Sequence, residues 1–406
     1  MKKIIFSCIG VLFITTSYAV DLTLNYYDDT IYSVMDPAYA SAGQVTAITD
    51  TYYSFKPFEK TLKIEEQHWL GDGDGGDYED HNGPYVYTYT DVTFDWLESY
   101  FSNYMLNEYP FYEIKKQFDG WVESNISELM DLSVISVSRN IIKQHNVDIY
   151  NSVFGNAKFD EKRFSIWGTT LLNSMNKSGK YDYSTNGLSV VLGADLQLSD
   201  TVLVGMGYSY SNTDVDINSS DMLFDNSGLF LCSKWKPSKF YLNAIVLYDF
   251  ADYEYVDSNF NNGDVSGLFA SVMAGYNTDS GISPEIGIRY TNLEINHNSE
   301  YLKKSESDFN SVIAGVKYER ALGKFVLAGH VMVEYDIIQP DGDIDIDVLG
   351  YKYDLTIEDN ERPLGAEFGL LASYNINDVD LQLKYDMRLR SDFVNHTGML
   401  SIKYAF

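Results

Sequence analysis

His396-Thr397-Gly398-Met399-Leu400-Ser401-Ile402-Lys403-Tyr404-Ala405-Phe406 ends the sequence, and its reading governs the rest. Gly398, Leu400, Ile402, Tyr404 and Phe406 share one face, and Thr397, Met399, Ser401, Lys403 and Ala405 share the other. A strict period of two describes a strand lying between two different surroundings. About ten residues is the length a tilted strand needs to cross a membrane. A barrel wall with lipid outside and water inside fits both facts.

The other end of the sequence points to the same compartment. Lys2 and Lys3 precede an apolar run from Ile4 to Ile14, and the small residues Ser17 and Ala19 follow. This layout predicts a secretory signal peptide over residues 1–19. Cys8 opens the apolar core and does not stand where a lipoprotein cysteine would. Cys232 is then the only cysteine of the exported chain, which rules out an internal disulfide. The chain carries 34 Tyr, 22 Phe and 29 Gly and a net charge of −30, so nucleic acid is excluded as a partner. No later apolar run is long enough for a membrane-crossing helix. The composition suits an outer-membrane barrel. A soluble secreted β-sandwich or β-helix is the competing class, because alternation also marks half-buried strands.

Twelve alternating segments run from Arg163 to the end, at about 163–173, 186–198, 201–211, 226–236, 239–252, 265–278, 282–296, 307–321, 324–339, 363–376, 380–390 and 396–406. In 380–390, Leu381, Leu383, Tyr385, Met387 and Leu389 oppose Asp380, Gln382, Lys384, Asp386, Arg388 and Arg390. In 188–198 the one exception to alternation is Val191. A single strand decides nothing, but the connections do. After even-numbered segments the turns are very short, as at Ser199-Asp200, Pro237-Ser238, Asp279-Ser280-Gly281, Leu322-Gly323 and Asn377-Asp378-Val379. After odd-numbered ones the loops are mostly long and polar, as at 212–225, 253–264 and 340–362. Short periplasmic turns and long outer loops are the outer-membrane rule. Tyr208, Tyr210, Tyr248, Phe250, Tyr290, Tyr318, Tyr335, Tyr374 and Tyr404 fall toward strand ends in the lipid-facing register, as girdle residues do. The expected fold is an all-β, twelve-stranded antiparallel transmembrane barrel.

These residues resemble the autotransporter β-barrel domain, the translocator of type V secretion. The likeness is carried by Phe164-Ser165-Ile166-Trp167-Gly168, by Gly187 and Gly193-Ala194-Asp195, and by Leu364-Gly365-Ala366-Glu367-Phe368-Gly369. Leu381–Arg390 and the stretch from Gly398 to Phe406 complete it. The resemblance implies the barrel at 159–406, and a terminal signal of Phe406, Tyr404 and Ile402 read by the barrel-assembly machinery. It further implies outer-membrane lipid and periplasmic chaperones as partners, a monomer, and no cofactor.

The family also has a helix that threads the pore. Ile126, Met130, Val134, Val137 and Ile141 recur at spacings of four and three, which makes one helical face within a linker at 124–158. Asn125 with Glu128 reads as a weak capping box. A helix is roughly 10–12 Å across, and a twelve-strand lumen should admit one. The other location for such a helix is a separate periplasmic domain. Residues 20–123 form a small α+β or irregular segment without a visible repeat, unlike a long repetitive passenger. Lys60–Leu70 and Tyr85–Phe94 read as strands, and Asp95–Leu106 as an aromatic-faced helix.

Residues that carry chemistry are sparse. The acidic loop Gly71–Asp80 has a calcium-like composition without EF-hand spacing, so a solvated loop is the better reading. Asp341, Asp343, Asp345 and Asp347 form an acidic ladder that fits a strand extending above the membrane. His330, Glu334 and Asp336 should share one inward face, but no nucleophile accompanies them. Ser174 and Lys177 make Ser-x-x-Lys without its partner motifs. Some members of the family cut their linker at paired asparagines; here Asn140 and Asn146 are not adjacent. The expectation is a non-enzymatic translocator that anchors and exports its own N-terminal segment to the cell surface. The rival is a porin-like channel in which residues 20–123 are a periplasmic or plugging domain.

Overall fold

The computed structural model describes residues 23–34, 45–71, 79–80, 85–104, 109–129, 133–159, 162–179, 182–217, 220–256, 262–297, 302–338, 342–348, 351–357, 363–390 and 392–406. The expected signal peptide lies outside them. The chain divides into two compact units, Met1–Glu123 and Ser124–Phe406.

In the first unit β1 (Leu24–Val34), β2 (Val45–Lys56) and β3 (Thr61–Gly71) pair antiparallel in that order. β4 (Glu79–Asp80) and β5 (Tyr85–Tyr89) pair with β3 as well. Two helices follow, α1 (Phe94–Tyr104) and α2 (Tyr109–Leu129). Tyr53, Phe55, Leu62 and Ile64 alternate onto one buried sheet face, and Phe94, Leu97, Phe101, Ile114 and Phe118 of the helices are buried too. The Phe55 and Phe94 rings meet edge-on at 5.4 Å, and Phe94 and Phe118 lie 4.8 Å apart. This is an ordinary apolar core. The expected strand over 85–94 stops at Tyr89, because Thr93 Oγ accepts from the Trp96 N–H at 3.2 Å and caps α1, which draws Phe94 into the helix. β1 and β2 were not expected. Runs such as Asp28-Asp29-Thr30 have low strand propensity, and pairing overrides it.

The second unit begins with α3 (Ser133–Asn156) and continues as strands: β6 (Phe164–Lys177), β7 (Tyr183–Ser199), β8 (Val202–Ile217), β9 (Ser220–Trp235) and β10 (Phe240–Tyr255). Next come β11 (Gly263–Tyr276), β12 (Ile282–His297), β13 (Leu302–Leu322) and β14 (Phe325–Ile338). β15 (Gly342–Val348) and β16 (Tyr351–Ile357) form a hairpin on the outer end of β13. β17 (Leu364–Ile376), β18 (Val379–Leu389) and β19 (Phe393–Ala405) complete the wall. Neighbours pair antiparallel around a ring that closes between β19 and β6, from Phe393 opposite Lys177 to Ala405 opposite Ser165. Omitting the β15–β16 hairpin, the closed barrel has twelve strands. Gly281 turns the chain at φ +83 and Gly323 at φ +67, the left-handed region that suits glycine in the tight connections.

The wall inverts the usual burial. Leu370, Leu383 and Leu400 are 68%, 64% and 62% exposed, whereas Asp386, Arg388 and Lys403 turn inward at 4%, 4% and 2%. The expected girdle aromatics point outward, with Tyr374 half-buried. Strand ends agree closely with the sequence reading at the short turns and less well at the opposite rim. β8 continues to Ile217 and β9 starts at Ser220, where a loop from 212 to 225 was expected. Outward positions there are polar except Leu223, and Asn212 Nδ2 donates to Asp225 at 2.8 Å, while Val215, Ile217, Met222 and Phe224 turn inward, so the alternation inverts as the ladder continues. The long loop expected at 340–362 contains the β15–β16 hairpin. Asp343, Asp345 and Asp347 lie on β15, and Asp341 is outside the described residues.

Candidate functional site

At about 1.5 Å per residue the 24 residues of α3 span roughly 36 Å, more than the ~30 Å hydrocarbon core. α3 touches β6–β12 and β19 and is buried on nearly every side within the barrel. Its outer end is fixed by Lys177 Nζ donating to Ser136 Oγ at 2.8 Å and by Asn140 Nδ2 donating to Tyr183 Oη at 2.9 Å. Lys177 and Tyr183 flank the β6–β7 connection, on the rim opposite the short turns. At the lower end Lys403 Nζ donates to the Asn156 carbonyl at 3.1 Å and Lys234 Nζ to the Ala157 carbonyl at 2.7 Å. Cations on the last carbonyls satisfy the helix's open acceptors and its dipole. The helix therefore descends with its N-terminus at the long-loop mouth and its C-terminus at the short-turn mouth.

Halfway down, Lys143 Nζ lies 3.3 Å from Glu334 and 3.1 Å from Asp336. Arg390 reaches the same two acids at 3.3 and 3.1 Å, Arg289 reaches Glu334 at 3.4 Å, and Arg388 also bonds Glu334. Ser311 Oγ donates to Asp336 at 2.6 Å. One step lower, Asn151 Nδ2 donates to Glu367 at 2.9 Å and to Asp386 at 3.2 Å, and Thr397 Oγ1 donates to Asp148 at 3.2 Å. Buried charges of this kind persist when paired and hydrogen-bonded, and deleting one partner is costly. Below the ionic layer the lumen is partly apolar: Ile149, Tyr150 and Val153 belong to a cluster with inward Trp167, Val191 and Phe230. This explains why Val191 breaks the alternation. Gly193 is part of the same fit, since a Cβ there would run into the Trp167 ring.

The residues picked out by sequence divide between helices. Ile126 falls on α2, Met130 lies outside the described residues, and Val134, Val137 and Ile141 are buried on α3. Asn125 is inside α2, which begins at Tyr109, so it is not an N-cap. α3 runs on to Asn156 because a helix in a polar lumen is held by side chains such as Gln144, His145, Asn151 and Ser152, not by one apolar stripe. Asn146 is also buried on α3. His330, Glu334 and Asp336 do face inward, but His330 bonds Glu367 at 3.1 Å and the two acids are tied to cations. Ser174 and Lys177 stand an odd number of residues apart on β6, and therefore on opposite faces. Phe406, Tyr404 and Ile402 are exposed on the outer face; Phe406 N–H donates to the Phe164 carbonyl at 2.8 Å. The acidic loop at 71–80 is described only at its ends, and among the described residues no His, Cys, Asp and Glu group has metal-holding geometry. Sequence reasoning missed the ionic layer of Lys143, Arg289, Glu367, Arg388 and Arg390. Its signal was present as charges of inward parity on three strand segments and one helical lysine, with no indication that they converge.

Comparisons with known proteins agree with this geometry. The sequence matches the family described as Autotransporter beta-domain over residues 166–386, more than half of the chain. No curated protein matches it in sequence. Among solved structures it is similar to the translocator domain of autotransporter NalP from Neisseria meningitidis, with a TM-score of 0.55 and 16% identity over 66% of this chain and 98% of that one. The transport unit of autotransporter AIDA-I from Escherichia coli is similar with a TM-score of 0.46 and 12% identity, covering 64% of this chain and 97% of that one. At such identities structural likeness speaks for the fold alone; the family match and the closed twelve-strand wall carry the assignment. The chain belongs to the autotransporter β-domain family, as an outer-membrane β-barrel translocator.

Proposed function

We propose that the barrel anchors residues 20–123 and exports them to the cell surface, and that α3 fills the lumen once they have passed. The observation that carries this reading is the polarity of α3. Its N-terminal end is held by Lys177 and Tyr183 at the long-loop mouth, and its C-terminal end by Lys234 and Lys403 at the short-turn mouth. Short turns face the periplasm in outer-membrane barrels, so the chain ahead of α3 leaves through the outer mouth. Insertion proceeds through the barrel-assembly machinery, which reads Phe406, Tyr404 and Ile402, after periplasmic chaperones have delivered a monomeric chain. No nucleotide or cofactor takes part. Protease added to intact cells tests the reading directly: residues 20–123 should be digested while the barrel stays protected. A segment that becomes accessible only after the outer membrane is broken would overturn it.

A further inference from the structure

β5 lies at an edge of the N-terminal sheet, and among the described residues it pairs with β3 alone. Tyr87 and Tyr89 stand opposite the buried Ile64 and Leu62, so the three tyrosines of β5 lie on the core side of the sheet. Tyr89 meets the helical layer there, 5.2 Å from Trp96 and 5.8 Å from Tyr100. Toward the other end of the strand Tyr85, Val86 and Tyr87 are 43%, 50% and 45% exposed, and Thr88 is exposed as well. Both faces of the strand are open to solvent over these four residues. An open edge is a template for another strand, and proteins commonly protect it with lysine, with proline or by keeping it short. β5 is short, but Tyr-Val-Tyr-Thr-Tyr holds neither charge nor proline. Residues 20–123 carry twenty acidic side chains and five basic ones, so two copies bear like net charge. β5 is a stretch where they can meet without bringing carboxylates together.

The sequence of β5 is also its own antiparallel complement. With Tyr87 on a two-fold axis, Tyr85 of one copy stands opposite Tyr89 of the other, Val86 opposite Thr88, and Tyr87 opposite Tyr87. The tyrosines then form one aromatic row on one face, and the β-branched residues pair on the other, which are the cross-strand pairs that stabilise antiparallel sheets. A slip of one residue sets tyrosine against valine or threonine instead. We propose that the N-terminal unit binds a second copy of itself by antiparallel pairing of the two β5 edges about Tyr87, which joins the two sheets into one. Such an interface uses the same edge on both copies and closes at two. The barrel takes no part and closes within a single chain. Five residues a side make a small interface, so one contact is weak, and copies gathered in a membrane strengthen it by avidity. The proposal is independent of the side of the membrane on which the unit resides.

Sedimentation equilibrium of the full-length protein in detergent reads the association. Heat-modifiable migration and near-ultraviolet circular dichroism monitor the fold of the barrel and of the N-terminal unit. The native protein should pass from one chain per particle to two as its concentration rises. Tyr87→Lys and Tyr87→Glu should each weaken dimerisation by roughly tenfold or more, because two like charges then face each other on the axis. An equimolar mixture of the two variants should restore it, with Lys opposite Glu. If the Tyr87 variants lose the N-terminal fold, the opposite face of β5 carries the test: Val86→Lys/Thr88→Lys and Val86→Glu/Thr88→Glu should each dissociate and recombine on mixing. A native protein that stays at one chain per particle, dimers insensitive to these charges, or variants that do not recombine would overturn the proposal. Tighter association of Tyr87→Lys by itself would also overturn it, since β5 would then be meeting an acidic segment and not its own copy.

Discussion

Two antiparallel sheets in this chain use the same period of two and turn it in opposite directions. In the N-terminal unit Phe55 and Leu62 face the core, while Tyr52 and Lys63 face out. In the barrel Leu383 and Leu400 face out, while Lys403 and Asp386 face in. Alternation states that a strand has two surroundings and does not say which one is inside. What separates them is the material that covers each face. Helices with Phe94, Phe101 and Phe118 accompany the first sheet. The second is closed on itself around a helix held by polar and charged groups. Burial therefore has a different energetic meaning in each: removal of apolar area in one, pairing of charges in the other.

The largest effect should come from the rim where the wall ends. Phe406 packs at 5.5 Å from Phe164 and 4.7 Å from Tyr404, outside the wall. Phe406→Asp should abolish outer-membrane assembly while secretion and the fold of the N-terminal unit persist. Heat-modifiable barrel at normal levels in that variant would remove the terminal signal.

Next in size is the effect of removing α3. A chain beginning near residue 160 should give larger and more persistent openings in a planar bilayer than the full-length protein, since α3 occupies a lumen whose middle layer is ionic. Equal conductance in the two would favour the porin-like reading and sink the plug.

The two kinds of burial can then be set against each other. Glu334→Ala strands Arg388 and leaves Lys143 and Arg390 to Asp336 and Arg289 to Glu367, and should cost the barrel about 3–5 kcal/mol. Phe55→Ala should cost the N-terminal unit a similar ~3–5 kcal/mol by leaving a cavity. Denaturant titrations should assign each loss to its own unit. A Glu334→Ala barrel as stable as the native one would mean that the ionic layer is not structural.

The smallest effects test the register. Leu383→Arg on the lipid face should cost roughly 2–4 kcal/mol, and Lys384→Arg, one residue away on the lumen face, should be near neutral. Comparable losses at both positions would contradict the inversion that separates the two sheets.

Much of the wall was legible before any coordinates. Twelve alternating segments and five short turns placed the strands, because each strand must match lipid on one side along about ten residues, and that constraint is written into every second position. The outer rims were less legible, since above the membrane the apolar side chains turn inward, as Val215, Ile217, Met222 and Phe224 do, and the lipid-facing period ends while the hydrogen-bonded ladder continues. Thr93 could have been read as the cap of α1, and the wrong end of the neighbouring strand shows the signal being overlooked.

The amino-acid sequence alone determined the class of fold, the number of the wall strands, which face of each looks outward and the inward parity of Glu334, Asp336, Asp386 and Arg388. These follow from local periodicity against two solvents, and no long-range information is needed for them. Only the tertiary structure decided that α3 runs from Ser133 to Asn156, that Lys143 meets Glu334 and Asp336, and that Val191 and Trp167 form an apolar patch with Val153. These contacts join residues tens to hundreds of positions apart across the lumen. Which partners meet there depends on strand stagger and helix depth, quantities that closure of the barrel sets and that no single segment encodes.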